Sequence, residues 1–222
     1  MKRSNVRLAI ALITVCGILV SGVAYAKDKG SLFEVTITNI TLGQIISPPI
    51  VISHNKDFQL FNLGSPASDE LAALAEDGMT GPLSAYLDTL DSVYQYNTAD
   101  GGIPPGKSVT VTIETKKGFR LLSAAGMLVS TNDAFFAVRS AEVRKKDGPT
   151  VEARAYDAGS EFNSELCAYI PGPPCGNPGK RDTAGAEGYV YIHAGLHGIG
   201  DLDPAVTDWL NPVATITIQK AK

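Results

Sequence analysis

Residues 32–40 read LFEVTITNI, and apolar and polar side chains alternate along the whole segment. Phe33, Val35 and Ile37 face one way, and the Glu and Thr residues between them face the other. Such alternation is typical of a β-strand with one buried face. The pattern returns at residues 107–115, KSVTVTIET, so the sequence predicts at least two half-buried strands.

Further strand patterns extend through the rest of the chain. They occupy residues 45–55, 92–99, 119–130, 188–194 and 213–221. Pro48 and Pro49, in the first of these segments, suit an edge or a bend rather than a central strand. Residues 134–159 predict a hairpin with a tight turn at Asp147-Gly148.

Two short helices are predicted between the early strands. Residues 65–78 offer a capping residue at Ser68 or Asp69 and a stop at Gly78, and residues 81–90 repeat the helical spacing. Because helices do not alternate regularly with strands, we predict an all-β fold. It is an antiparallel β-sandwich of about eight strands, with one or two short helices inserted near residues 66–90. Residues 27–222 are expected to form one domain.

The first 26 residues have the pattern of a cleaved secretory signal. Basic residues precede an uncharged run at residues 8–20, and Ala24 and Ala26 are the small residues that a signal peptidase reads. The run is shorter than the roughly 20 residues of a membrane span. We expect a secreted or periplasmic protein that is cut after Ala26 and has no transmembrane segment. Lipidation at Cys16 is the weaker alternative, because Val15 precedes it instead of a small residue.

Charge limits the classes of partner. The chain carries 19 Lys and Arg against 23 Asp and Glu. Loss of residues 1–26, which hold three basic residues and no acid, leaves 16 against 23, a net charge of −7. An acidic surface disfavours nucleic acid and anionic lipid as partners.

Cys167 and Cys175 are the two cysteines that remain after such a cut, and a Pro- and Gly-rich segment separates them. In an oxidising compartment this spacing favours a disulfide that closes a short loop. Metal ligation and a catalytic thiol are the alternatives.

Several segments, spread from residue 33 to residue 218, share one resemblance. They read ISPPIVISHN, FNLGSPASDELAALAEDG, IPPGKSVTVTIET, STNDAFFAV, YDAGSEFNSE and GIGDLDPAVTDWLNPVATITI. In this order they resemble the spondin domain, the amino-terminal module of the F-spondin type, in the version found as stand-alone secreted bacterial proteins.

The resemblance implies an antiparallel β-sandwich that carries a calcium ion in its loops and has no catalytic role. In animals the domain belongs to adhesive proteins of the extracellular matrix. There it accompanies thrombospondin-type repeats and a reelin-like module, which are absent from these 222 residues. The implied partner is a protein or glycan ligand outside the cell.

Asp133, Asp157 and Glu161 are the candidate calcium ligands. Asp133 follows one predicted strand and Asp157 ends another, so the hairpin between them would bring both to one end of the sandwich. Glu161, four residues on, can turn back toward them, and the resemblance assigns the site to the same three positions. Ca²⁺ takes six to eight oxygen ligands, several of them carboxylate. The alternative is that these acids are turn residues that accept hydrogen bonds from nearby backbone N–H groups.

Asp201, Asp203 and Asp208 form a second acidic group. Pro204 and the lack of a glutamate at the twelfth position exclude an EF-hand loop. We expect loop residues and helix caps here, or additional ligands of the first site.

The histidines do not predict a zinc site. His193 and His197 are four residues apart, but the glycines around them disfavour a helix that would aim both at one metal. His54 stands alone in a strand segment and is expected to pack or form hydrogen bonds there.

Motifs of catalysis are missing from the chain. No nucleophile elbow, His-Glu-x-x-His pair or phosphate-binding glycine loop is present. We therefore predict a secreted, non-catalytic binding or adhesion module with a calcium site in its loops. The alternatives are a secreted hydrolase that uses the loop carboxylates and an inert structural protein of the envelope.

Overall fold

The computed structural model describes residues 30–144 and 148–222. Within these ranges the strands are β1 (Ser31–Asn39), β2 (Ile50–His54), β3 (Val93–Thr98), β4 (Ser108–Thr115), β5 (Leu121–Met127), β6 (Ala134–Glu142), β7 (Thr150–Asp157), β8 (Tyr191–Ile192) and β9 (Ala214–Lys220). The helices are α1 (Asp69–Asp77), α2 (Thr80–Leu87) and the short α3 (Pro204–Thr207). The predicted signal segment, its cut after Ala26 and Cys16 lie outside the described residues.

The strands form an antiparallel sheet in the order β3-β2-β5-β6-β7-β9-β1-β4, with β8 added beside β7. Strand β7 turns the corner of this sheet, because Thr150–Ala153 pair with β9 whereas Arg154–Asp157 pair with β6. The end strands β3 and β4 approach each other, and Asn97 Nδ2 donates to the Thr112 carbonyl at 2.6 Å. The predicted antiparallel sandwich with short inserted helices is confirmed.

The inner core lies between the two halves of the sheet, and the alternation of β1 explains it. Phe33, Val35 and Ile37 are at most 1 % exposed, while the polar residues between them are not buried. Opposite them in the ladder, Val111 and Ile113 of β4 and Ile216 and Ile218 of β9 are also buried. Period-two patterning therefore predicted the buried face correctly.

A second core lies on the outer side of strands β2, β5 and β6, under the two predicted helices. All five residues of β2 are buried, so this strand is covered on both faces. The helices contribute Leu71, Leu74, Leu83 and Leu87 to this core. Helices α1 and α2 thus form a third layer of the fold.

The ends of α1 agree with the sequence prediction. The Ser68 side chain accepts from the Leu71 N–H at 3.3 Å, and Gly78 ends the helix in the left-handed conformation at φ 67°. This conformation favours glycine because a side chain there would be strained.

Two local expectations need correction. Strand β2 lies between β3 and β5, so it is not an edge strand; Pro48 and Pro49 lie just before it, where they cost no ladder hydrogen bond. Strands β6 and β7 pair only between Ala134–Ala137 and Arg154–Asp157, because β7 leaves for β9. Gly148 donates to the Ile218 carbonyl of β9, and Asp147, the other residue of the predicted turn, lies outside the described residues.

Candidate metal centre

Asp133 and Asp157 lie side by side at one end of the sandwich. The ladder between β6 and β7 pairs Ala134 with Asp157, which places Asp133 next to that carboxylate. Both acids are 0 % exposed. The structure therefore brings these two residues together at one end of the sheet, as expected.

Asp133 holds the loop that follows β7. Its Oδ2 accepts from the backbone N–H groups of Ser160 at 2.8 Å and Glu161 at 2.9 Å. The Ser160 hydroxyl donates to the same oxygen at 3.2 Å. The other oxygen, Oδ1, is buried and has no hydrogen-bond partner. One oxygen of Asp133 therefore fixes the loop, while the other is left unsatisfied.

Asp157 is held by its own loop. Its Oδ1 accepts from the Gly159 N–H at 2.7 Å, and its Oδ2 accepts from Asn163 Nδ2 at 2.5 Å. The Asn163 amide also lies 3.1 Å from the Tyr191 hydroxyl of β8. These hydrogen bonds fix the orientation of the Asp157 carboxylate.

The charged forms of the two carboxylates are electrostatically unfavourable. Burial raises the pKa of Asp133 well above its usual range, and the neighbouring charge of Asp157 raises it further. Burial likewise raises the pKa of Asp157, although the hydrogen bond from Asn163 opposes the shift. Desolvation and repulsion both disfavour the charged pair, and a bound cation or a proton relieves them.

His193 does not supply the missing positive charge. Its Nε2 lies 3.7 Å from Asp157 Oδ2, but its Nδ1 accepts from the Gly195 N–H and Nε2 lies 3.2 Å from Asn163 Oδ1. Burial lowers the pKa of His193 to about 4. The ring is therefore neutral at physiological pH and acts as a hydrogen-bonding support.

Glu161 joins this region through its backbone, while its carboxylate faces elsewhere. The side chain is 0 % exposed, and its Oε1 lies 3.3 Å from Nε of Arg181 without a hydrogen bond. Its Oε2 accepts from the Asp182 N–H at 3.3 Å. Burial raises the pKa of Glu161 to about 7, against the opposing effect of the Asp182 N–H.

Arg181 is an ion-pair partner that the sequence analysis did not single out. It also pairs with Glu76, and its Nη2 lies 2.5 Å from Asp77 Oδ2, so it connects the loop after β7 with the end of helix α1. As the structure stands, no three His, Cys, Asp or Glu side chains of residues 30–144 and 148–222 converge closely enough to hold a metal together. Asp133 and Asp157 are brought together, and the carboxylate of Glu161 is turned toward Arg181.

The surroundings of the pair fit a hard cation. Besides Asp133 Oδ1 and Glu161 Oε1, the Ser164 hydroxyl is buried without a hydrogen-bond partner, whereas the Asn132 amide oxygen accepts from the Glu165 N–H. Carboxylate, amide and hydroxyl oxygens are the donors that Ca²⁺ prefers. Asn163, which the sequence did not single out, holds Asp157 by donating from its amide nitrogen.

The second acidic group has structural partners. Asp203 caps α3 by accepting from the Ala205 N–H, Asp201 accepts from the Cys167 N–H, and Asp208 accepts from the Leu196 N–H. Each distance is between 2.8 and 2.9 Å. These contacts agree with the expectation of loop residues and helix caps.

Glu165, a buried acid in the same loop, also has a structural role. Its two carboxylate oxygens accept from the backbone N–H groups of His197 and Ile199. The acid thus holds the loop after β8 against the loop after β7. His197 is largely exposed, and His54 is buried with ring hydrogen-bond partners at Asn55 and Ser123.

Cys167 and Cys175 form the predicted disulfide, with their Cα atoms 4.9 Å apart. The closed loop packs on the sandwich, since Ile170 is buried in the inner core and the Gly172 N–H donates to the Val129 carbonyl. Across the described part of the chain, no helix has the length and hydrophobicity to span a bilayer.

Comparison with known families gives one match. Residues 42–163, more than half of the chain, match the family described as Spondin_N. The matched range contains Asp133, Asp157 and Glu161 and ends before the disulfide loop. A comparison with curated proteins finds no significant match.

Proposed function

The chain belongs to the Spondin_N family, and on that premise we propose that it is a non-catalytic binding or adhesion module outside the cell, with a calcium site that helps to fix its loops. The family and the disulfide both fit an extracellular protein. Its ligand is a protein or a glycan, and secretion follows cleavage after Ala26.

The single observation that carries the calcium site is the buried pair of Asp133 and Asp157. Two adjacent carboxylates at 0 % exposure, one of them with an unpartnered oxygen, form an anionic site that its described neighbours do not neutralise. A divalent cation converts their repulsion into attraction. Glu161 completes the set once its carboxylate turns from Arg181, which lies 3.3 Å away.

The same burial argues against the hydrolase alternative. Asp133, Asp157 and Glu161 are all 0 % exposed, and backbone N–H groups occupy an oxygen of each. Acid–base or nucleophilic work requires a carboxylate to reach the substrate. These acids therefore suit an ion in the interior of the loops better than an external substrate.

Thermal unfolding in calcium and in chelator tests the proposal. Extracellular sites bind Ca²⁺ with constants of about 10⁻⁴–10⁻³ M. Calcium at about 100 times the dissociation constant stabilises the folded state by about 2.7 kcal/mol. For a domain of this size, the melting temperature then rises by about 5–11 °C. Magnesium should raise it much less, because Mg²⁺ gives up its water reluctantly.

Asp157→Asn is the variant for this test, and Asp203→Asn is its matched control. Asp157→Asn removes the calcium-dependent rise and leaves the calcium-free protein equally or slightly more stable, because the repulsion has gone. Asp203→Asn makes the same chemical change at an exposed cap, where Asn serves as well as Asp, and keeps the rise. Identical melting of the wild type in calcium and in chelator would refute the site.

A ligand screen tests the binding role. Glycan and protein arrays are probed with the mature protein, with and without calcium, beside a panel of hydrolase substrates. The proposal predicts a retained ligand and no turnover. Turnover that Asp157→Asn abolishes would favour the hydrolase, and a protein that retains no ligand would favour an inert structural role.

A further inference from the structure

Three adjoining surface hollows lie across strands β6, β7 and β8, on the side of the sheet that faces away from the inner core. Their volumes are about 230, 290 and 370 Å³. The first two share Arg139, and the second and third share Glu152 and Arg154. The three hollows are therefore adjacent, and together we call them the outer trough.

The middle of the outer trough arises from the separation of two strands. The ladder between β6 and β7 ends at the pair Ala137 and Arg154. Beyond this pair β7 turns to β9, while β6 stays with β5. The hollow between the diverging strands is thus a permanent feature of the topology.

Two arginines project into the outer trough from neighbouring strands. The guanidinium of Arg139 lies over the Phe61 ring at 4.8 Å and near the Tyr156 ring at 6.0 Å, which fixes its position. Arg154 lines the same hollow as Arg139 and Tyr156. Among the described residues, neither arginine has a carboxylate within ion-pair distance, although the chain as a whole is acidic.

The remaining lining is mixed, and its apolar members include Leu60, Phe61, Val151, Ile192 and Pro212. Gln59 lies at one end and Asn211 at the other, and Glu152 lies in the middle. The groove crosses the strands, so it does not offer the continuous row of backbone groups along one strand that an added peptide strand uses. Its donors are spaced side chains, which suit a ligand with separated hydroxyl and anionic groups.

Building on the proposed function as a binding module, we propose that the outer trough binds a segment of a carboxylated polysaccharide, with its uronate groups paired to Arg139 and Arg154. The guanidinium fork matches a planar carboxylate with two parallel hydrogen bonds. Gln59 and Asn211 are placed to meet sugar hydroxyls. Glu152 opposes the ligand and limits its affinity.

Binding to immobilised polygalacturonate tests this inference, in chelator and at two salt concentrations. The double variant Arg139→Gln/Arg154→Gln should bind at least about tenfold more weakly than the wild type, and wild-type binding should weaken with salt. Glu152→Gln should bind about two- to threefold more tightly, because it removes a like charge. Lys107→Gln/Lys117→Gln, which removes two exposed charges outside the trough, should bind like the wild type.

Several outcomes would overturn the assignment. They are a wild type that does not bind polygalacturonate, a double arginine variant that binds equally well, and a lysine control that loses as much affinity. Equal binding to poly-L-glutamate would indicate a peptide ligand instead, and equal binding to neutral dextran would exclude the charge pairing. Because none of the proposed calcium ligands lines the trough, Asp157→Asn should retain polygalacturonate binding. The trough and the calcium site can therefore fail independently.

Discussion

Two adjacent buried carboxylates pose an electrostatic problem that the fold does not solve by itself. Asp133 and Asp157 are held in place by hydrogen bonds from Ser160, Gly159 and Asn163. These donors are neutral, so they do not cancel the negative charge. Natural proteins pair a buried charge or bind an ion to it. At 0 % exposure, a proton or a bound cation would relieve this repulsion, and the proposed calcium ion is the second of these.

Glu161 makes the stability of the folded protein depend on pH. Its folded pKa of about 7 lies above its ordinary value of 4.5, so the fold prefers the protonated acid. The stability that this preference contributes is present below pH 4.5 and is lost as the pH rises through 7. In chelator, Glu161→Gln should therefore gain on the wild type by up to about 3 kcal/mol across this window.

Denaturant unfolding at several pH values measures this difference. The folded pKa of His193 is about 4, below its ordinary 6.5, so His193 costs stability as the pH falls below 6.5. This effect is common to both proteins and cancels in the comparison. Asp203→Asn is the control and should not gain. A difference between Glu161→Gln and wild type that stays constant from acid to neutral pH would contradict the account.

The loop after β7 is held to the rest of the fold at three places. Asp133 binds its start, the disulfide closes its middle, and Arg181 ties its later part to the end of helix α1. Glu76 and Asp77 lie at the helix C-terminus, where acids are unfavourable, and Arg181 compensates for them.

Replacement of Arg181 should therefore be costly. Arg181→Gln leaves Glu76, Asp77 and Glu161 close together without their cation, and we expect a loss of about 2–4 kcal/mol in the free energy of unfolding. Arg181→Lys should recover part of the loss. Arg144→Gln is the matched control, because its pair with Glu142 is exposed and contributes less than about 1 kcal/mol. Equal effects of Arg181→Gln and Arg144→Gln would show that the loop anchor is unimportant.

Local sequence patterns predicted where strands and helices lie better than they predicted which elements pack against each other. Alternation in residues 32–40 predicted β1 and its buried face, and Ser68 and Gly78 predicted both ends of α1. The position of β2 inside the sheet was not predictable, because strand partners are chosen by long-range packing and not by local period. The third layer made by α1 and α2 was missed for the same reason.

The candidate site was likewise only partly predictable from local sequence. The meeting of Asp133 and Asp157 followed from two strands that end at one side of the sandwich. The direction of the Glu161 carboxylate did not follow, because Arg181, 20 residues further along the chain, competes for it. A local sequence motif does not reveal an ion-pair partner that comes from another segment of the chain.

The molecule as a whole is a sandwich with its two proposed binding surfaces at separate places. The buried acids lie at one end of the sheet, and the outer trough lies on one of its faces. The disulfide and the Arg181 contacts stabilise the loop between β7 and β8, which contains Glu161, the third proposed calcium ligand. These contacts fix the frame, and only the Glu161 side chain would turn when the proposed calcium ion binds.

Calorimetric titration of the mature protein with calcium tests the central claim most directly. The account predicts one Ca²⁺ per chain with a dissociation constant of about 10⁻⁴–10⁻³ M in the wild type and in Asp203→Asn. Asp157→Asn should give no binding heat. A wild type without binding heat, or an Asp157→Asn variant that binds calcium like the wild type, would contradict the account.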